Sequence, residues 1–75
     1  MPQPSEPLSP AEFGRRIVRL RKKRKLRQVE LAKKVGLDRG DLCNIEKGRG
    51  PANPSSATIL RFADALGVTP NELMV

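Results

Sequence analysis

Apolar residues recur along this chain at helical rather than strand spacing. Phe13, Ile17 and Leu20 stand at i, i+4 and i+7, a stripe along one side of a helix. Ser9 precedes them as an N-cap, Pro10 suits the first helical position, and Glu12 stands where a capping box requires it. This first helix is predicted to run to about Lys23. Leu31, Ala32 and Val35 mark a second helix, which ends at Gly36, the residue type best able to take a left-handed conformation. Asp38 then offers an N-cap for a third helix that carries Leu42 and Ile45 and stops at Gly48. Ser55 or Ser56 caps a fourth, with Ile59, Leu60, Phe62, Ala63 and Leu66 as its apolar face and Gly67 as its stop. Thr69, Pro70 and Glu72 open a short fifth helix carrying Leu73 and Met74. The expectation is an all-α, compact five-helix domain over residues 9–75. Residues 1–8, with three prolines and no apolar periodicity, read as a disordered arm.

The third helix has two unlike sides. At about 100° per residue, Leu42 and Ile45 fall on one side, near Asp38 and Asp41. Arg39, Gly40, Cys43, Asn44 and Lys47 fall on the other, which is long, polar and rich in donors. A helix of this kind can rest one side on a core and place the other in a DNA major groove. Arg39 is the leading base reader, because a guanidinium can bond guanine O6 and N7 through two parallel hydrogen bonds. Asn44, one turn on, can bond adenine or a phosphate. Gly40 costs up to about 1 kcal/mol of helix stability relative to alanine. Its presence there suggests a close approach of backbone to DNA, with chance drift as the alternative. Cys43 reads as a small side chain fitted against the groove, and Asp41 as a helix-start charge.

Charge sharpens this picture. Fifteen Lys and Arg stand against eight Asp and Glu, for a formal +7 and a pI of about 10.6. Fourteen of the bases but only four of the acids lie between Arg15 and Arg49, so that segment carries +10 and the remainder −3. A pI above about 9 with clustered bases is the footprint of a nucleic-acid binder. Arg15–Arg27 lacks the Trp/Phe/Leu-rich face of a cationic membrane helix, and no run approaches a membrane span. A single cysteine excludes an internal disulfide and fits a reducing, cytoplasmic setting. With no histidine, no phosphate-cradling glycine motif and no metal-ligand cluster, the chain is not expected to be an enzyme or to need a cofactor or metal.

Gln28, Leu31-Ala32, Gly36, Leu42, Ile45-Glu46 and Gly48, followed by Ala63, Ala65-Leu66-Gly67-Val68 and Leu73, form an ordered set with consistent spacing. Together they resemble the lambda/434 repressor and Cro family of XRE-type helix-turn-helix domains, with the helix-turn-helix at about 28–48. The resemblance spans roughly Phe13 to Met74. It implies that Gln28 contacts a phosphate and braces the first residues of the recognition helix. It implies an ion pair between Arg21 and Glu46 that ties helix one to helix three. It also implies phosphate contacts from the approach to helix two and from the loop after the recognition helix: Lys22, Lys25, Arg27, Lys47 and Arg49. The family's usual Gly-Leu-Ser/Thr-Gln is here Lys25-Leu26-Arg27-Gln28, so a less sharp start to helix two is expected. The loop 50–56 is about two residues longer than common in the family.

The function implied is a sequence-specific, double-stranded DNA-binding transcription regulator. It would be a repressor or small controller protein acting as a homodimer, cytoplasmic in a bacterium or phage-infected cell, with no small-molecule effector. Val68, Leu73, Met74 and Val75 are the expected dimer surface. The alternative is an antitoxin or adaptor module of the same fold, whose main partner is a protein.

Overall fold

Ser9 starts the first helix as its composition foretells. Its backbone is extended and its Oγ accepts from the Glu12 amide at 3.1 Å. In the computed structural model, which describes residues 9–50 and 55–74 (Met74 by its backbone alone), five helices follow: α1 Pro10–Lys23, α2 Gln28–Val35, α3 Arg39–Glu46, α4 Ser56–Leu66 and α5 Pro70–Met74. The arm at 1–8, most of the long loop and Val75 lie outside the described residues. Ser55, not Ser56, caps α4, accepting from the Thr58 amide at 3.2 Å. Thr69 and Glu72 form a complete capping box, each side chain accepting from the other's amide.

The four longer helices end alike. In each, the amide two residues past the last ordinary turn reaches back to a carbonyl: Leu26 to Arg21, Leu37 to Ala32, Arg49 to Asn44 and Val68 to Ala63. This is the Schellman arrangement, and it needs one residue in the left-handed region. Gly36, Gly48 and Gly67 supply it at φ 74°, 81° and 67°. At the end of α1 the same place is held by Lys25, at φ 58°. The turn that lacks its glycine therefore forms nonetheless, and α2 begins cleanly at Gln28. Arg27 is extended there, and its amide is held by the Glu30 carboxylate at 2.8 Å. Only the glutamate half of a capping box acts at this start, since an arginine side chain has no acceptor.

The core is built from the predicted stripes: Phe13 and Ile17 of α1, Leu31, Ala32 and Val35 of α2, Leu42 of α3, Phe62, Ala63 and Leu66 of α4, and Leu73 of α5. Phe13 and Phe62 meet edge to face with centroids 6.0 Å apart. Each such side chain contributes roughly 1.5–3 kcal/mol through burial. Helix α1 packs on α3, α4 and α5, and α2 packs on α3 and α4. Gly14 makes the α1–α3 contact possible. A Cβ there would stand 2.7 Å from the Glu46 carbonyl oxygen and closer still to that of Ile45. Glycine is thus required at Gly14 by close approach, not by its φ.

Candidate nucleic-acid interface

Helix α3 buries little of itself. Leu42 is wholly enclosed, and Ile45, Glu46 and Cys43 are half-buried. Arg39, Gly40, Asp41, Asn44 and Lys47 are exposed. The candidate base readers Arg39, Gly40 and Asn44 thus share an open surface with Lys47, while Cys43 lies partly between that surface and the domain. Nothing lies within 4 Å of where a Gly40 side chain would begin. Asp38 takes the extended backbone of an N-cap, but its side chain makes no cap hydrogen bond.

What orients α3 is the Glu46 carboxylate. It accepts from Arg21 Nε at 2.7 Å and Nη2 at 3.3 Å, and from Gln28 Nε2 at 2.8 Å. The side chains are little exposed, 13% for Arg21 and 5% for Glu46. Arg21 Nη1 also donates to the Leu26 carbonyl at 2.9 Å. One charge-assisted network therefore joins α1, the α1–α2 turn, α2 and α3. Where a buried carboxylate has such donors, removing one partner costs far more than the pair contributes net. This corrects the reading of Gln28. Of the two roles implied, the brace falls on Glu46 at the far end of α3, not on that helix's first residues, and it uses one of the two donors of the amide.

The candidate phosphate contacts sort by position. Lys22, Lys25 and Arg27 are exposed around the α1–α2 turn, and Lys47 and Arg49 just past the C-terminus of α3. Arg27 leans on Glu30 at 3.4 Å, a wet pair with side chains 83% and 44% exposed. The Arg27 amide and guanidinium hold the Glu30 carboxyl below its usual range. Arg24, inside the same basic run, does something different. It donates to the carbonyls of Leu66 at 2.8 Å and Gly67 at 3.1 Å, closing the C-terminus of α4. Sequence reasoning missed both Arg24 and Gly14. The available signal for Gly14 was a glycine one position from the Phe13 core stripe. Arg24 carried none, since its partners are backbone atoms 42 and 43 residues away.

The expected dimer surface needs correction. Leu73 is fully buried, so it belongs to the monomer's own core and has no face to offer a partner. Val68 is half-buried and rests on that core. The Met74 and Val75 side chains lie outside the described residues. Among the described residues the large apolar side chains left exposed are Val29 and Leu60, the latter 56% accessible on α4. Among the described residues no helix is long and apolar enough to cross a membrane.

Comparison with known proteins agrees with this arrangement. Residues 12–74 match the family model described as a helix-turn-helix domain. The immunity repressor protein of Bacillus phage phi105 is 49% identical over 55 residues, which are 73% of this chain and 37% of that protein. The chain therefore spans little more than a third of that relative's length. The restriction-modification controller protein C.AhdI of Aeromonas hydrophila superposes with a TM-score of 0.77 at 39% identity, covering 85% of this chain and 94% of that one. The clp gene regulator ClgR of Corynebacterium glutamicum superposes at 0.80 with 26% identity, covering 91% and 70%. On its fold, its α2–turn–α3 geometry and these matches, the chain belongs to the helix-turn-helix domain family, of the XRE type.

Proposed function

We propose that this protein is a sequence-specific, double-stranded DNA-binding transcription regulator, a repressor or controller protein that binds an inverted-repeat operator as a homodimer. The observation that carries the reading is the split of α3. Arg39, Gly40, Asn44 and Lys47 stand open on one face while the Glu46 network holds the helix at a set angle. Its similarity to a phage immunity repressor and a controller protein supports the same reading. In the proposed complex α3 lies in the major groove. Arg39 and Asn44 reach base edges, and the Gly40 backbone comes close to the DNA. Lys22, Lys25 and Arg27 around the α1–α2 turn and Lys47 and Arg49 after α3 neutralise phosphates. With Leu73 in the core, we assign two-fold pairing to Leu60 and Val68 instead.

Selection from a randomised duplex library tests this directly. An inverted repeat with half-sites about one helical turn apart is the expected product. On the recovered site, Arg39→Ala should cost about 1–3 kcal/mol and on random DNA little. Recovery of no motif, with binding that vanishes steeply in salt, would overturn the reading and favour a protein partner.

A further inference from the structure

Helix α1 carries a second cationic surface that the proposed operator complex leaves unused. Arg15, Arg19 and Lys23 follow one another at i, i+4 and i+8, all exposed, with Arg16 beside them. At 1.5 Å per residue their Cα atoms stand about 6 Å apart along the helix. Glu12 lines the shallow hollow formed with Arg15, Arg16 and Arg19, and Glu72 of α5 lines another with Arg19 and Lys23. Among the described residues none of the stripe is engaged in an ion pair.

The direction of this stripe follows from two contacts. Gly14 abuts the α3 carbonyls and Arg21 bonds Glu46, so both mark the side of α1 that faces α3. At about 100° per residue the stripe is centred roughly 150° round the helix from that side. The body of α1 therefore stands between the stripe and whatever α3 holds.

Its chemistry selects the occupant. The stripe's own residues include no apolar one to form the dry centre of a protein interface, although Leu20 and Val68 border Arg19 and Lys23 along the α5 edge. No aromatic is available to stack an unpaired base, since the chain's two, Phe13 and Phe62, are both buried. A row of like charges, evenly spaced along a straight rod, complements the phosphate row of a duplex backbone. We propose that the α1 stripe binds the backbone of a second DNA duplex without regard to sequence, so that a protein seated on its operator bridges to another DNA segment. This rests on the DNA-binding function proposed above.

The test is a capture assay with wild type and the variant Arg15→Gln/Arg19→Gln/Lys23→Gln. The recovered operator, as a short duplex, is fixed to beads and loaded with protein. A fluorescent duplex lacking the site is then offered. Affinity for the short operator alone is read separately by anisotropy, and folding by circular dichroism. Wild type should retain the second duplex and the variant roughly tenfold less near physiological salt, with a capture salt slope lower by about 3. Operator affinity should be unchanged. Capture equal to wild type, or no capture by wild type, would overturn the bridge. Loss of operator affinity in the variant would overturn it too, by placing the stripe on the same duplex. Wild type binding neither duplex would instead remove the DNA-binding function itself.

Discussion

Lys25 is the residue at which local preference and tertiary need conflict. Its left-handed backbone costs a non-glycine residue roughly 1–2 kcal/mol. Glycine relieves that strain but enlarges the unfolded ensemble, by about 0.4–1 kcal/mol. Lys25→Gly should therefore raise stability by roughly 0.5–1 kcal/mol, seen as a higher urea midpoint at unchanged slope. If the ammonium contacts a phosphate, the same variant should lower the salt slope of DNA binding by about 1. Stability gained with an unaltered slope would remove Lys25 from the phosphate set. Glu30 offers a separate test through pH. Its carboxyl is held below its ordinary 4.5 by the Arg27 amide, so the folded form favours its charge. A depressed carboxylate adds stability above the unfolded pKa and loses it as pH falls through the folded one. Thermal midpoints should then decline below about pH 4.5 less steeply in Glu30→Gln than in wild type. Parallel curves would leave the helix start without an ionic component.

At the scale of the element, α3 is a helix of eight residues with one fully buried side chain. Isolated helices of this length are marginal in water, so packing and the Glu46 network hold it rather than propensity. Gly40 worsens that propensity for no packing reason, because the space around it is open. Gly40→Ala should stabilise the fold by about 0.8–1 kcal/mol. If the backbone meets DNA there, it should also weaken operator binding, as anisotropy would record. A stabilised variant with unchanged affinity would make Gly40 mere drift. The split of α3 into anchor and reader was legible because a helical period sorts Leu42 and Ile45 from Arg39 and Asn44 without knowledge of any neighbour. The Gln28–Glu46 bond was not, because its geometry depends on how α2 crosses α3. Leu73 was misread for a related reason. Apolar residues near a chain end look surplus until α5 is seen folding back onto α1 and α4.

Across the whole molecule, the basic run 21–25 illustrates how charge can be structural. Arg21 holds α3 and Arg24 holds the end of α4, while Lys22 and Lys25 stay in solvent. Arg24→Gln should cost about 1–2 kcal/mol, since its bonds to two carbonyls are charge-assisted but only partly shielded. It should leave the salt slope of DNA binding as it was, whereas Lys22→Ala should flatten it by about 1. A flattened slope in Arg24→Gln would put that guanidinium on the DNA. Five helices, their order and nearly all of the core could be read from spacing and caps, whereas the ties between distant helices could not. One consequence of the two-sided α3 concerns how new specificities arise. The side chains that fix its angle (Leu42, Ile45 and Glu46) are distinct from those facing outward (Arg39, Gly40, Asn44 and Lys47). If α3 reads DNA as proposed, mutations that change the recognised operator need not pass through unstable intermediates. A lineage of such proteins can diverge in the sites it recognises while its scaffold stays under a separate selection for folding.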